Sequence, residues 1–282
     1  GGDIGALYLR TLSMVSGLPE LILGRTLGLA SSAMFGRAQT VVSIVERLVL
    51  QGTYSVALPM FAQRVREGGD IGALYLRTLS MVSGLAWTLL FGLAILAEPV
   101  VLLLYGAQWG DAVPLAVALS VAMAVQLPAL LLTGPMLALG HHRRVLWLTL
   151  LNLALQATAT VAGSAFGLLG VGLAVAVASL LILAVWVVLA LPCVGVHARA
   201  LAGAAMRSLA LAGATAAVPG LLWLGADLLP DTLWSPVLLS VCMGVPMFAV
   251  AARSLAHPLW HELQRTMAEG MDDRGWVCGG GG

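Results

Sequence analysis

Residues 112–163 read AVPLAVALSVAMAVQLPALLLTGPMLALGHHRRVLWLTLLNLALQATATVAG, and they decide the fold class. Two apolar runs, 112–139 and 145–163, flank the loop His141, His142, Arg143 and Arg144. Between Ala112 and Val196 those two arginines are the only formal charges. A soluble core has no place for two such runs joined by four basic or near-basic residues. A bilayer does, because each run can cross about 30 Å of hydrocarbon and the loop marks where the chain returns to water.

The rest of the chain agrees. Hydrophobic residues make up 60% and charged residues 10%, with a mean hydropathy of +0.98. An ordinary soluble domain carries roughly 25% charged residues, so that class is excluded. The apolar stretches are too long and continuous for barrel strands. The chain reads as an all-α, polytopic transmembrane helix bundle. Its net charge of +1 says little about partners, since the charges are sorted by position. Nothing points to nucleic acid or to a bound cofactor. Cys193, Cys242 and Cys278 show no metal-ligand spacing, and two of them, in or at the edge of apolar runs, read as small packing residues.

Residues 1–18, GGDIGALYLRTLSMVSGL, recur unchanged at 68–85. A repeat old enough to shape a fold would have diverged, so the first copy reads as a recent duplication or a non-native addition. Spans are expected at about 35–59, 78–97, 112–139, 145–163, 171–191, 208–228 and 237–252, with a cytoplasmic tail over 256–282. His197, Arg199 and Arg207 read as an amphipathic connector before the sixth span. The loop charges alternate along this order. Arg64 and Arg66, the 141–144 loop, His197, Arg199 and Arg207, and Arg253 fall on one side. Glu98 and Asp111, the neutral 164–170 turn, and Asp227 and Asp231 fall on the other. The positive-inside rule puts the arginine loops in the cytoplasm. Arg25 and Arg37 then face outward as the only misfits. Tyr105 and Trp109 suit an interfacial belt.

The segment 35–59 is the most informative. At about 100° per residue, Arg37, Thr40, Ser43, Arg47, Gln51, Tyr54 and Ser55 fall within one stripe. Val41, Val42, Val45, Leu48, Val49, Gly52 and Val56 fill the opposite face. Glu46 and Thr53 flank the stripe. One face therefore meets lipid or packed helices, and the other meets something polar. An arginine at mid-membrane costs at least ~2.5 kcal/mol on insertion scales, so it must be hydrated or paired.

Three stretches resemble a known family. They are PELILGRTLGLASSAMFGRAQTVVSIVERLVLQGTYSVALPMFAQRVRE (19–67), EPVVLLLYGAQWGDAVPL (98–115) and LTGPMLALGHHRRVLWLTLLNLALQ (132–156). In order and spacing they look like bacterial polysaccharide flippases of the Wzx type. These belong to the multidrug/oligosaccharidyl-lipid/polysaccharide exporter superfamily. The resemblance covers about 19–255 and matches only the C-terminal lobe of a two-lobe transporter. It implies a cavity that opens alternately to each side of the bacterial inner membrane. It also implies a cargo, undecaprenyl-pyrophosphate-linked oligosaccharide, moved outward for O-antigen, capsule or exopolysaccharide synthesis. The missing N-terminal lobe, or a second copy, would complete the cavity.

In that frame Arg37 and Arg47 would neutralise a diphosphate or acidic sugar. Ser43, Gln51 and Tyr54 would hydrogen-bond sugar hydroxyls. The competing reading is that Glu46 and Arg47 pair with other helices and only pack. Asn152 and Gln156, one turn apart, suit interhelical hydrogen bonds or the cavity wall, and Gln126 is similar. Arg77, Arg143 and Arg144 are topology anchors touching lipid headgroups, or contacts to the lipid-linked diphosphate. His141 and His142 have no carboxylate or cysteine nearby and are not expected to hold a metal.

No catalytic residue is expected. A membrane-embedded glycosyl- or acyltransferase would need titratable groups clustered at a membrane face. Asp227 and Asp231 near Trp234 are the nearest approach, and His257 and His261 match no motif. A cation-coupled multidrug antiporter of the same superfamily is the closer rival. Glu46 is the only acidic residue embedded in an expected span, and coupling to H+ or Na+ through it stays open.

Overall fold

The computed structural model describes residues 17–224, apart from the side chains at 18, 50–52, 54, 55 and 218–224. The first copy of the repeat as far as residue 16, the 237–252 span, the tail, Asp227, Asp231, His257 and His261 lie outside the described residues.

The described chain is helical. In order come α1 (Leu18–Thr26), α2 (Leu29–Glu46), a π-helical turn (Arg47–Gln51) and α3 (Gly52–Arg66). Then follow α4 (Ile71–Ile95), α5 (Ala97–Tyr105), a 3-10 turn (Ala107–Ala112), α6 (Val113–Ala138) and α7 (His142–Ser164). The last elements are α8 (Gly167–Leu189), a 3-10 turn (Leu191–Val194) and α9 (Ala198–Leu224). Five described segments are long and apolar enough to cross a membrane: Ile71–Ile95, Ala107–Ala138, His142–Ser164, Gly167–Leu189 and Ala198–Ala217. This is a helical membrane bundle.

Two segments differ from the expected spans. The 35–59 region is not among the five, because charges dilute its hydropathy and the π turn divides it into helices of 18 and 15 residues. The helix containing Ser208 begins at Ala198, so Arg199 and Arg207 ride on its opening turns, both exposed, and not on a separate connector. Hydropathy marks only the length of helix in hydrocarbon, and a helix is free to continue into the headgroup region.

α6 is the central helix and packs on α2, α3, α4 and α8. α4 lies between α6 and α9, α7 packs on α8 and α1, and α1 returns to α2. Lipid tails offer no hydrophobic drive between helices, so polar contacts and close approach must join them. Ser208 Oγ donates to Ser80 O at 3.1 Å, and Thr215 Oγ1 to Thr88 Oγ1 at 3.3 Å, tying α9 to α4. Gln126 Nε2 donates to Ser179 Oγ at 3.0 Å between α6 and α8. At the α7–α8 hairpin the backbones touch. A Cβ on Gly163 would sit 2.7 Å from both Gly170 O and Val171 Cα.

Pro128 lies inside α6 and has no N–H, so the Ala124 carbonyl four residues earlier loses its helical partner. Trp87 Nε1 of α4 donates to that oxygen at 2.8 Å. One turn along, the buried Tyr75 hydroxyl donates to Pro128 O at 2.9 Å. α4 thus repairs the proline break in α6.

The outer surfaces of α7 and α8 expose Leu146, Trp147, Leu151, Leu173, Leu180 and Val188. Such a surface would aggregate in water and is ordinary against lipid.

Candidate functional site

α2 carries the polar residues. Phe35, Ala38, Val41 and Val42 are buried, a helical spacing that sets one face against the bundle. Arg37, Thr40 and Arg47 are exposed, and Ser43 and Glu46 are half-buried. Thr40 Oγ1 donates to Gly36 O at 2.7 Å and Ser43 Oγ to Thr40 O at 2.8 Å. Each hydroxyl spends its proton on its own helix and keeps its lone pairs to accept.

Arg47 opens the π turn. Among the described residues its guanidinium has no hydrogen-bond or ion-pair partner, and its nearest opposite charge is the adjacent Glu46. Its depth follows from the helix rise. Arg37 and Arg64 are 27 positions apart in the numbering, which at 1.5 Å per residue is about 40 Å, close to a bilayer with its headgroups. Arg47 then lies about 15 Å from the Arg37 level and about 25 Å from Arg64.

The expected stripe does not run straight. The i→i+5 turn at Arg47–Gln51 holds roughly one residue more than an α-turn. The register beyond it therefore lags by about 100°. Arg37, Thr40, Ser43 and Arg47 share a face, whereas positions 51, 54 and 55 are rotated off its line. The side chains of Gln51 and Tyr54 lie outside the described set. Of the opposite face, Val41, Val42 and Val49 are buried, but Leu48 is 71% exposed and Val56 is exposed too.

A second feature joins this helix near its start. The Arg37 guanidinium lies 5.2 Å from the Tyr105 ring centroid and 5.3 Å from that of Trp109. The two rings are 6.2 Å apart and tilted by 58°. Gly106, at φ +91°, ends α5 in a conformation open to glycine, and Trp109 N then closes the turn onto Gly106 O at 3.1 Å. Both rings are half-buried. Sequence reading placed Tyr105 and Trp109 in an interfacial belt and left Arg37 a charge misfit. Their meeting spans nearly 70 residues, and the only local signal was that Arg37 and the 105–111 turn fall on the same side.

Asn152 and Gln156 are half-buried on α7. Neither carboxamide has a hydrogen-bond partner among the described residues. α7, which carries them, packs on α8 and α1. Gln126, by contrast, bridges two helices.

At the opposite end of the bundle Arg143 and Arg144 are exposed on the first turn of α7. Arg144 Nη1 contacts Cys193 Sγ at 2.7 Å. The start of α4 abuts the same region, where a Cβ on Gly72 would meet Val194 O and Val196. Arg77 is exposed on α4. The loops carrying Arg143, Arg144 and Arg199 therefore gather at one end and the Arg37–Tyr105–Trp109 cluster belongs to the other. Among the described residues no three His, Cys, Asp or Glu side chains gather as metal ligands would.

Five membrane-length helices, polar ties between them and a charged face on α2 define a multi-pass helical membrane protein. Comparison with known proteins narrows that class. Residues 8–114, a stretch that runs through α5 and the aromatic turn to the first residues of α6, match the family described as "Polysaccharide biosynthesis protein". The chain is also 26% identical over 149 residues to the succinoglycan biosynthesis transport protein ExoT of Rhizobium meliloti (strain 1021). That similarity covers 53% of this chain and 29% of the relative, so the chain spans well under two thirds of the relative's length. None of the solved structures matches. Both similarities point to polysaccharide biosynthesis, and the second to a transport protein.

Proposed function

We propose that this chain forms one lobe of a transporter that moves undecaprenyl-pyrophosphate-linked oligosaccharide across the bacterial inner membrane, for O-antigen, capsule or exopolysaccharide synthesis. The observation that carries this reading is Arg47, an exposed guanidinium with no hydrogen-bond or ion-pair partner among the described residues, on a segment that the reading sets across the membrane. Hydrocarbon would penalise it by at least ~2.5 kcal/mol, so its face must border water or an anion. A polar cavity between two lobes supplies both. There Arg47 would bind the diphosphate through charge-assisted hydrogen bonds, while Thr40 and Ser43 accept from sugar hydroxyls. A relative named for transport in succinoglycan biosynthesis agrees with that cargo class. The second lobe would come from another segment or a second copy. Arg77, Arg143 and Arg144 would meet anionic headgroups, or the diphosphate before it enters.

The experiment is Arg47→Ala in the full-length transporter, reading polymer at the cell surface and protein in the membrane. Export should fall at least about tenfold, the loss expected for one charge-assisted contact, with insertion unchanged. Normal polymer at normal protein level would overturn the assignment. Glu46, half-buried beside Arg47, favours a second reading in which the same lobe couples cargo to H+ or Na+. Glu46→Gln would then abolish the dependence of export on an ion gradient while Arg47→Ala reduces export at every gradient.

A further inference from the structure

We propose that Arg37, Tyr105 and Trp109 form a saccharide subsite at the outward end of the α2 face, built to hold a carboxylated pyranose. It deepens the transport reading above by naming the sugar class of the cargo, and its residues on the 105–109 turn extend beyond the α2 stripe. The guanidinium lies within 5.3 Å of two tilted rings, so its orientation is fixed before any ligand arrives. None of its five N–H donors has a hydrogen-bond or ion-pair partner among the described residues. A planar fork held rigid and unpaired is matched by a carboxylate, which it grips through two parallel bonds. The half-buried indole and phenol offer apolar surface beside that fork. A pyranose presents C–H groups on its ring face, suited to an aromatic platform, and a uronate carries its carboxylate at the ring edge. One ligand therefore satisfies both halves of the cluster. A phosphatidylglycerol headgroup shares the oxyanion but has no ring to stack, which is why the rings favour sugar. Gln108, exposed on the same turn as Trp109, can hydrogen-bond sugar hydroxyls.

The test is saturation-transfer NMR on the full chain in phosphatidylcholine nanodiscs, with methyl glucuronide and methyl glucoside as probes. The glucuronide should bind and the glucoside should bind roughly tenfold more weakly, the difference made by one charge-assisted pair. Trp109→Leu and Arg37→Gln should each weaken glucuronide binding by a similar factor, Trp109→Phe should restore most of it, and Arg199→Gln, an exposed arginine at the opposite end of the bundle, should leave it unchanged. Equal binding of the two probes, or variants that bind as the parent does, would overturn the proposal. So would glucuronide binding that disappears when phosphatidylglycerol replaces phosphatidylcholine, because the site would then be a lipid-headgroup site. Failure here leaves the export result at Arg47 standing, and failure at Arg47 leaves sugar binding at Trp109 standing.

Discussion

At the scale of single residues, the polar side chains divide into those that complete a helix joint and those left open. Trp87, Tyr75 and Gln126 each donate to an atom on another helix at 2.8–3.0 Å. Arg37, Arg47, Asn152 and Gln156 do not. The sequence could not separate these groups, since Gln126 and Gln156 are both carboxamides inside apolar runs. What distinguishes Gln126 is Ser179, fifty-three residues away, and local pattern carries no register between distant helices. The same limit hid the meeting of Arg37 with Tyr105 and Trp109. The charge on Arg47 stands out in the sequence for a simpler reason, because an arginine amid apolar residues is visible without knowledge of its neighbours. The Trp87 bond makes a quantitative expectation. Replacing it by Phe leaves the Ala124 carbonyl with no donor, since Pro128 cannot supply one. Stability should fall by about 1–2 kcal/mol, above the average for membrane hydrogen bonds for that reason. Pro128→Ala restores the helical N–H, so in that background Trp87→Phe should cost distinctly less. Reversible unfolding of the four proteins of this cycle in mixed micelles measures the difference, and equal costs in both backgrounds would refute the pairing.

At the scale of elements, hydropathy found the apolar helices and missed how they begin, break and touch. α9 starts at Ala198 because a helix does not end where the hydrocarbon does, and Arg199 and Arg207 sit on its exposed turns. The π turn at Arg47–Gln51 was illegible for a different reason. A wheel drawn at constant angle assumes the ladder it is meant to detect, so the stripe extended smoothly through position 55. π turns recur at functional sites, and this one begins at the residue with the strongest functional argument. Helix approach is likewise a backbone matter. Gly163 meets backbone at 2.7 Å on α8, whereas Gly92 has nothing within 4 Å of its Cβ position. Gly163→Val should therefore cost roughly 3 kcal/mol, because backbone atoms cannot rotate aside, and the yield of folded protein should drop. Gly92→Ala should be neutral or slightly stabilising, since alanine is the better helix former. Equal behaviour of the two variants in the same unfolding assay would show that the α7–α8 contact is not as close as described.

At the scale of the whole molecule, one orientation has to serve several independent features. If the 141–144 loop is cytoplasmic, α7 and α8 return the chain to the same side at the 191–194 turn, where Arg144 meets Cys193. α6 then carries the opposite end outward to Ala112, and the aromatic turn faces the exterior with Arg37 beside it. The arginine that broke the loop rule becomes the one held against two rings at the far interface. Among the described residues, Arg37, Thr40 and Arg47 on that face of α2 stay exposed. The orientation can be measured directly. With Cys193, Cys242 and Cys278 replaced by serine, single cysteines at Gln108 and His142, both exposed, should respond oppositely to a membrane-impermeant maleimide. Gln108→Cys should label in intact cells, and His142→Cys only after the membrane is opened. The reverse pattern would put the aromatic cluster at the cytoplasmic end. Arg37 would then meet cargo on entry and not on release, and the arginine loops would violate the charge rule together. Labelling of both in intact cells would mean that an even number of crossings separates them, and α6 would have to be reassigned from a single span to a helix that does not cross.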